Sequence, residues 1–383
     1  MSDPVDFTLS LRFEDLPASV VDDAVRALID TSGVAVSAAQ TPLSRIIRDH
    51  AAEQFGGSAA YLWQDGRKVS VAGAVLANGM TIDAVDAHDG HKLAKGHVGC
   101  GIMPAAIALA EAEGLHDARA FLTSIVVGYE IGTRAGIALH QSAADYHTSG
   151  AWIALAAAAL GARAFGLDGS AAREALGIAE YHGPRSQMMR CIDHPTMVKD
   201  GSGWGAMAGV SAAYLARNGF TGAPALTMES PDLVPVWQDL GARWYIEEQY
   251  IKLYPVCRWA QPAVDAVLSL RRRHGIVAAD VTGIHVESFH EARRLTALPS
   301  TSEQAQYSLP FSVAIALARG GIEVKDILDE GLADPEIRRL AGLVTIDETK
   351  DFNAAFPERR FARVALTNKG GETFRSEVTE ARG

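Results

Sequence analysis

Apolar residues recur at helical spacing through most of the first 220 residues. Residues 17–39, for example, carry Val20, Ala24 and Leu28 at intervals of four, which places these side chains on one face of an α-helix. Many segments of this half are rich in Ala and Gly and apolar on all sides, which is typical of buried helices that approach one another closely. The pattern predicts further helices over residues 103–112, 118–139, 151–165, 171–179 and 204–217.

Beyond residue 252 the pattern becomes mixed. Residues 281–289 and 361–368 alternate with period two, which is typical of half-buried strands, and a turn at 369–372 leads into a short run from Thr373. Helical spacing predicts helices over 264–274, 309–319 and 324–330. The predicted fold class is therefore mainly α, with a large all-helical domain (residues 1–258) and a smaller α+β domain (residues 259–383).

Composition narrows the function classes. The chain has 383 residues, of which 48% are hydrophobic, and a formal net charge of −11. These values are typical of a globular protein and argue against a disordered chain. Binding to nucleic acid needs a clustered basic surface, so we expect no nucleic-acid partner. The densest basic run, residues 271–274, falls at the end of a predicted helix, where cations complement the helix dipole.

Cysteine usage and the N-terminal sequence bear on cellular location. Cys100, Cys191 and Cys257 are far apart and form no CxxC pair, which argues against a disulfide framework or a structural zinc site. The first ten residues lack the basic and then apolar run of a signal peptide. The longest apolar run, residues 151–162, is too short to span a bilayer. We therefore expect a cytoplasmic protein without a membrane partner.

Histidines are concentrated in the middle of the chain, where eight of the twelve lie between residues 88 and 194. Three of them, His88, His91 and His97, share the connector of residues 83–101 with several aspartates and lysines. Loops between rigid helices often carry function, and histidine exchanges protons near neutral pH. The connector therefore indicates a polyanion site or general acid–base catalysis. The alternative is a solvated polar loop.

Two motifs in this half resemble a metal site and a nucleotide site, but each lacks a feature that such a site requires. The HDGH run (residues 88–91) could bind a metal ion, but it lacks the HExxH spacing that places two histidines on one helix face. The glycines of GSGWGAMAG (residues 201–209) imitate a phosphate-binding turn, but no strand precedes them. We therefore expect a loop that enters a closely packed helix, and these motifs predict neither a metal ion nor a bound nucleotide.

Two lysines precede segments that are predicted to be buried helices. Lys199 ends the run CIDHPTMVK, and Lys252 opens the run KLYPVCRW. Each could present its ammonium group into a shared cleft, where it would bind a carboxylate or stabilise an enolate-like transition state. The alternative for each is a lysine that faces solvent.

Six runs of the sequence, taken together and in this order, resemble the MmgE/PrpD family. That family is named for 2-methylcitrate dehydratase and also contains cis-aconitate decarboxylase and iminodisuccinate epimerase. The resemblance covers about residues 15–370. The runs are ANGMTIDAVDAHDGH from Ala77, GHVGCGIMPAAIALAEAEG from Gly96, YHTSGAWIALAAAALGARAFGLD from Tyr146, ALGIAEYHG from Ala175, VKDGSGWGAMAGVSAAYLARNGFTGAP from Val198 and KLYPVCRWAQPAVDA from Lys252.

The resemblance implies a homodimer without a metal or organic cofactor. It also implies a substrate that is a small di- or tricarboxylate, which loses a proton next to a carboxylate group or loses carbon dioxide. The predicted catalytic residues are Asp86, His97, His147, Lys199 and Lys252, which match family motifs, together with His91. The predicted substrate-binding residues are Asp89, Lys95, Tyr254, Cys257 and Arg258.

The chain departs from the family pattern at three places. His88 and Gly90 replace an aspartate and a threonine that many members carry. Cys257 stands where the decarboxylase branch has a histidine. The family's helices that follow the strand pair near residue 375 and return to the first domain are expected to be absent, because the sequence ends at Gly383.

The resemblance leads to the hypothesis of a cofactor-independent lyase of the dehydratase type, acting on a 2-methylcitrate-like substrate. Lys199, Lys252 and His97 would hold the carboxylates; His147 or Asp86 would be the base, and the other, or His91, would be the acid. An epimerase (isomerase) or a decarboxylase on a related polycarboxylate would use the same cationic pocket, so both stay open. A non-catalytic scaffold and a metal-dependent hydrolase are the remaining alternatives.

Overall fold

The computed structural model describes residues 3–383, which form two compact units. The first unit contains residues 3–84, 88–188 and 199–251. The second unit contains residues 85–87, 189–198 and 252–383. This division follows from packing within the chain, and the predicted domain boundary after residue 258 stays a prediction.

Helices make up nearly all of the first unit. The first unit also contains a short antiparallel hairpin of β1 (Ala60–Tyr61) and β2 (Lys68–Val69). In chain order the helices before residue 251 are α1 (Pro4–Ser10), α2 (Ala18–Ala38), α3 (Pro42–Gln54), α4 (Val71–Asp83), α5 (Gly99–Glu113), α6 (Ala118–Ser142), α7 (Gly150–Ala164), α8 (Gly169–His182), α9 (Met188–Asp193), α10 (Ser202–Arg217), α11 (Leu226–Glu229) and α12 (Val234–Trp237), with 3₁₀ turns at Phe13–Asp15, Pro231–Leu233 and Tyr245–Glu248. Of these, α9 belongs to the second unit apart from its first residue.

Helix α10 lies at the centre of the first unit, where it packs against α4, α7 and α8. Its glycines make this close approach possible. A Cβ built on Gly205 would lie 2.1 Å from the carbonyl oxygen of Gly150, and one on Gly209 would lie 2.2 Å from that of Ala154. The glycine-rich run therefore serves helix packing, as its sequence context predicts.

All six helices predicted within the first 220 residues are present, with ends shifted by up to four residues. The pattern does not predict α3 and α4. Helix α4 is buried on every side apart from Ala72, so its apolar residues follow one another without a period. Helix α3 carries ordinary start signals, because Pro42 is its first residue and the Thr41 side chain accepts a hydrogen bond from the Ser44 amide.

The second unit is an α+β fold around a five-stranded sheet. Strand β3 (Val281–Ser288) pairs in parallel with β4 (Val344–Glu348) and antiparallel with β5 (Phe361–Asn368). Strand β5 also pairs antiparallel with β6 (Thr373–Arg375) and β7 (Thr379–Glu380). The helices of this unit are α13 (Gln261–His274), α14 (His290–Arg293), α15 (Ser302–Gln306), α16 (Leu309–Arg319), α17 (Asp329–Ala333), α18 (Pro335–Ala341) and α19 (Lys350–Ala355). The predicted fold class is confirmed: a large helical part and a smaller α+β part.

Most predictions for the second unit are confirmed, and one is wrong. Residues 324–330 do not form one helix, because Leu328 has extended backbone (φ −101°, ψ −170°) between a 3₁₀ turn at Val324–Ile327 and α17. The pattern misses β4, an edge strand with three of its five residues exposed and no clean alternation. The basic run forms the last turn of α13, and Gly275 follows it as a left-handed cap with φ 60°.

Within residues 3–383, no helix combines the length and the apolar character that crossing a membrane requires.

Alanine substitutions of glycine test the packing of α10. Gly209→Ala is expected to lower the free energy of unfolding by about 1–3 kcal/mol, because the added methyl group meets backbone atoms of α7. Gly33→Ala in α2 is the matched control; nothing lies within 4 Å of a Cβ built there. That change is expected to stabilise the protein by about 0.5–1 kcal/mol. Thermal unfolding followed by circular dichroism compares the two variants, and equal effects would contradict the packing argument.

Candidate active site

The connector between α4 and α5 is buried in the protein. His88, His91 and His97 expose 0, 2 and 8% of their surface, and Asp89 exposes 2%. Buried ionisable groups are stabilised by hydrogen bonds or by opposite charges, so each of these side chains requires a polar or charged neighbour. The interpretation as a solvated polar loop is therefore wrong.

His97 is fixed from several directions within the first unit. Its Nδ1 donates a hydrogen bond to the carbonyl oxygen of Asp89, and its backbone amide donates to Ser149 Oγ at 3.0 Å. Its carbonyl oxygen accepts from the indole nitrogen of Trp152 at 2.8 Å. Its second ring nitrogen, Nε2, lies 3.7 Å from Asp200 Oδ2. The ring therefore has one protonated nitrogen on a backbone acceptor and the other beside a carboxylate.

Ser149 and Asp200 connect the start of α7 with the loop before α10. Ser149 Oγ donates to Asp200 Oδ2 at 2.7 Å, and the Gly150 amide donates to the Asp200 carbonyl oxygen at 3.1 Å. Lys199, the neighbour of Asp200, exposes only 2% of its surface and has a left-handed backbone (φ 48°). The interpretation of Lys199 as a solvent-facing lysine is therefore wrong.

His88 pairs with the last residue of α4. Its Nε2 lies 3.2 Å from Asp83 Oδ1, and both side chains are fully buried. Asp83 Oδ2 also lies 3.5 Å from the amide of Ser202, the first residue of α10. The His88 ring meets the His97 ring edge-on, with 4.2 Å between centroids. The histidine that replaces the family's aspartate is thus part of the same cluster as His97.

Asp89 is held by a phenol from α6. The Tyr129 hydroxyl donates to Asp89 Oδ2, and burial, followed by the charge of Asp89, raises the pKa of Tyr129 well above its usual value. Tyr129 therefore remains a neutral donor at any physiological pH. Gly99, the first residue of α5, allows this contact, because a Cβ there would lie 2.4 Å from the Tyr129 hydroxyl oxygen.

His91 lies beside Glu248. Its Nδ1 accepts from the Ala94 amide at 3.3 Å, so its Nε2 carries the ring proton, 3.6 Å from Glu248 Oε2. The hydrogen bond from His91, together with that from Arg243, lowers the pKa of Glu248 to about 2. The backbone next to His91 is also tied down, because Gly90 exchanges two hydrogen bonds with Tyr250, at 3.1 and 2.8 Å.

The segment of residues 236–250, which carries Glu248, is anchored on α6 by a fully buried arginine. Arg134 donates to the carbonyl oxygens of Val236 at 2.5 Å and Arg243 at 2.9 Å, and it pairs with Asp239. Its guanidinium group also lies 4.6 Å from the ring centroid of Tyr245. The segment is therefore held by side-chain contacts to α6 in addition to its own turns.

Glu130 adds an acidic group to this anchor. It is fully buried, lies 3.4 Å from Arg134, and accepts a hydrogen bond from the Ile246 amide at 3.0 Å. Burial raises the pKa of Glu130 to about 7, although Arg134 opposes the shift. The contact between α6 and residues 236–250 therefore depends on pH near neutrality.

His147 lies at a bend before α7. Its backbone amide donates to His140 Nε2 at 3.2 Å, and its own Nδ1 is buried without a hydrogen-bond partner among residues 3–383. Burial, and then the charges of Lys95 and His147, lower the pKa of His140 to about 3, so His140 is neutral at physiological pH. The Lys95 ammonium lies over the ring of Tyr146, 5.0 Å from its centroid.

In the second unit, Lys252 forms a buried ion pair with Asp86. The Lys252 ammonium lies 2.6 Å from Asp86 Oδ1 and 3.0 Å from the Asp86 carbonyl oxygen. The Asp86 amide donates to Gln306 Oε1 at 2.9 Å. The Cys257 thiol is buried in the same unit; burial, and then the charge of Asp86, raise its pKa to about 12. Cys257 is therefore a neutral thiol.

Tyr254 and Arg258 contact the last residues of the chain. The Tyr254 hydroxyl donates to Asp265 Oδ1 at 2.9 Å and accepts from Arg382 at 3.0 Å. Arg258 donates to the carbonyl oxygens of Arg382 at 2.6 Å and Ala381 at 3.0 Å. These two side chains therefore hold the C-terminal segment within the second unit.

The predicted site residues divide between the two units. The first unit contains Asp89, His91, Lys95, His97, His147 and Lys199, and the second contains Asp86, Lys252, Tyr254, Cys257 and Arg258. Direct contacts join Asp89 to His97, and Asp86 to Lys252. The predicted site residues omit the partners Asp83 and His88, which lie within the predicted connector, and the sequence prediction misses Ser149, Asp200 and Glu248. Ser149 and Asp200 stand next to predicted residues in HTSG and KDG, and this proximity is the signal that could have identified them.

Comparisons with known proteins agree with the resemblance. The family model described as the MmgE/PrpD N-terminal domain matches residues 4–234, and that of the MmgE/PrpD C-terminal domain matches residues 254–383. The chain is 26% identical over 326 residues to the cis-aconitate decarboxylase-like protein oryM of Aspergillus oryzae, covering 75% of this chain and 63%, less than two thirds, of that protein. It is 24% identical over 396 residues to the cis-aconitate decarboxylase of Homo sapiens, covering 95% of this chain and 79% of that protein.

The buried ion pair of the second unit can be tested by a double-mutant cycle. Lys252→Met and Asp86→Asn are each expected to lower the free energy of unfolding by about 3–5 kcal/mol, because each removes the ion-pair partner of a buried charge. The double variant should lose less than the sum of the two single losses. Thermal unfolding of the four proteins measures the difference. Strictly additive losses would show that the two groups do not interact.

Stability should depend on pH through Glu130. The pKa of Glu130 is raised from 4.5 to about 7 in the folded state, because the folded protein binds this proton more tightly than the unfolded chain does. The resulting contribution to the free energy of unfolding is fully present below about pH 4.5 and is lost as the pH rises through 7. Between pH 4.5 and pH 8 the wild type should lose about 3 kcal/mol relative to Glu130→Gln. Urea unfolding of both proteins across this range measures the difference, and parallel pH profiles would contradict it.

Proposed function

Because the chain belongs to the MmgE/PrpD family, we propose that it is a lyase that removes water from a small di- or tricarboxylate. In this reaction a base takes the proton on the carbon next to a carboxylate group, and hydroxide leaves from the neighbouring carbon as a double bond forms. The substrate class resembles 2-methylcitrate. As part of the same proposal, the protein acts as a cytoplasmic homodimer without a metal or organic cofactor.

The observation that carries this proposal is the buried set of His97, Asp200 and Ser149 beside the buried Lys199. A proton next to a carboxylate is weakly acidic, because its removal places a second negative charge on the substrate. Fixed cations in a site shielded from water stabilise that charge as it develops. Such cations are supplied by a lysine that exposes 2% of its surface and by a histidine whose Nδ1 donates to a backbone oxygen and whose Nε2 lies 3.7 Å from a carboxylate.

His147 is the proposed base, since its Nδ1 is buried and has no hydrogen-bond partner among residues 3–383. Asp86, the alternative base, is paired with Lys252 at 2.6 Å, and an adjacent cation weakens the basicity of a carboxylate. The proposed acid is His91, whose Nε2 carries the ring proton. Lys252, which the family resemblance also implies, is proposed as a further substrate-binding cation.

Decarboxylation is a second candidate, because both similar proteins are named as cis-aconitate decarboxylase or decarboxylase-like. In that reaction the bond to a carboxylate carbon breaks, carbon dioxide leaves, and the electron pair left on carbon takes a proton from an acid of the protein. The reaction needs the cations and the acid but no base. An epimerase would instead return the abstracted proton to the opposite face.

Proton NMR in D₂O tests the proposal. The purified protein is incubated with citrate, 2-methylcitrate, cis-aconitate and iminodisuccinate-type compounds. Deuterium incorporation with a new alkene signal supports dehydration. Release of carbon dioxide supports the second candidate, and incorporation with inversion at that carbon, without an alkene or carbon dioxide, supports epimerisation. No change in any compound, from protein that circular dichroism shows to be folded, would overturn the proposal and favour a non-catalytic scaffold.

Lys199 provides the sharpest variant for this assay. Lys199→Met removes the buried cation with little change in side-chain size, and it is expected to lower kcat/KM by about 100-fold or more on the accepted compound. Lys68→Met, at an exposed position of β2, is the matched control and should leave the rate unchanged. Full turnover of Lys199→Met on every accepted compound would contradict the proposed role.

A further inference from the structure

The two ring nitrogens of His97 meet different partners. Nδ1 donates to the carbonyl oxygen of Asp89, which can only accept, so Nδ1 carries a proton in both the neutral and the charged ring. Nε2 lies 3.7 Å from Asp200 Oδ2. In the neutral ring the lone pair of Nε2 would therefore face a carboxylate. Protonation of Nε2 replaces this repulsion with attraction.

The position of Asp200 is fixed by the fold. The residue exposes 2% of its surface, its Oδ2 accepts from Ser149 Oγ at 2.7 Å, and its carbonyl oxygen accepts from the Gly150 amide at 3.1 Å. Ser149 Oγ also accepts from the His97 amide at 3.0 Å. The Asp200 carboxylate and the backbone of His97 therefore share one hydroxyl group as a partner. An exposed ion pair, whose side chains move freely, has no such shared anchor.

Other groups of the first unit surround His97. His88 packs edge-on against its ring, and His88 has its own carboxylate partner, Asp83, at 3.2 Å. Gly90 separates Nδ1 of His97 from the Tyr250 hydroxyl, since a Cβ on Gly90 would lie 2.8 and 2.5 Å from these two atoms. Asp200 is a carboxylate of the first unit that lies beside Nε2, and it serves as a counter-ion of the charged ring.

We propose that Asp200 is a positioning residue that holds His97 as an imidazolium, so that His97 is a fixed cation for a substrate oxyanion and not the base of the reaction. This inference rests on the proposed function, in which His97 binds a carboxylate. At 3.7 Å from Nε2, the Asp200 carboxylate stabilises the positive charge of the ring without forming a short hydrogen bond to it. The left-handed backbone at Lys199 fits this role, because strain of this kind concentrates at functional sites.

Nitrogen NMR of the full-length protein, without substrate, tests the charge state directly. Histidine is labelled with ¹⁵N, and His97→Gln identifies the His97 signals. At pH 7.5 both ring nitrogens of His97 should give the shifts of a protonated nitrogen in the wild type. In Asp200→Asn, which keeps an oxygen that can accept from Ser149 Oγ, Nε2 should give the shift of an unprotonated nitrogen. The matched control is Asp49→Asn, at an exposed carboxylate of α3, which should leave His97 unchanged.

A neutral His97 in the wild type at pH 7.5 would overturn the inference, and this result requires no variant to fold. An imidazolium that persists in Asp200→Asn would overturn it as well, because the charge would then not depend on Asp200. These measurements need no turnover, so they remain decisive even if none of the polycarboxylates reacts and the proposed function fails.

Kinetics on an accepted polycarboxylate separate positioning from structural support. Asp200→Asn should raise KM by about tenfold or more with a smaller change in kcat, because a cation for the substrate is weakened while the base is intact. Asp200→Glu, which keeps the charge, should recover part of this loss. Equal losses in both variants, with kcat falling and KM unchanged, would indicate a structural role only and would overturn the inference.

Discussion

Carboxylates and imidazoles that are taken out of water need partners, and this requirement organises the centre of the first unit. Asp83 at the end of α4 meets His88, Asp89 meets Tyr129 of α6, and Asp200 meets Ser149 at the start of α7. These pairs join the end of α4, the connector that follows it, α6 and the start of α7. The helices must therefore meet at one fixed spacing, and small changes in packing would leave buried charges without their counter-groups.

The sequence predicts the residue types of the site better than their pairing. His97 and Lys199 stand out because each is an ionisable residue close to the start of a strongly apolar helix. Asp200 and Glu248 do not stand out, since the role of a carboxylate depends on the group that the fold places beside it. Glu248 is 157 residues from His91 in the chain, and local patterns carry no information about contacts at that separation.

Fold prediction succeeds and fails for related reasons. Helices with one buried face, such as α2, reveal themselves by their period, whereas α4 is buried all round and shows none. Strand β4 lies at the edge of the sheet with exposed side chains, so its alternation is weak. The segment of residues 236–250 has little regular structure, and Arg134 and Glu130 hold it from α6. Local periodicity cannot predict a segment such as this one, because contacts with a helix that is distant in sequence define its conformation.

One contact between helices α4 and α10 restricts which substitutions this sequence can accept during evolution. Gly79 of α4 and Gly203 of α10 face each other so closely that a Cβ on Gly79 would lie 2.7 Å from the Cα of Gly203. A side chain at either position would separate α4 from α10, and with them Asp83 and the loop that carries Lys199 and Asp200. Neither glycine touches a reacting group, yet both positions should be closed to neutral substitution. Sequence variation in relatives would then show two invariant glycines that a search for chemically active residues would overlook.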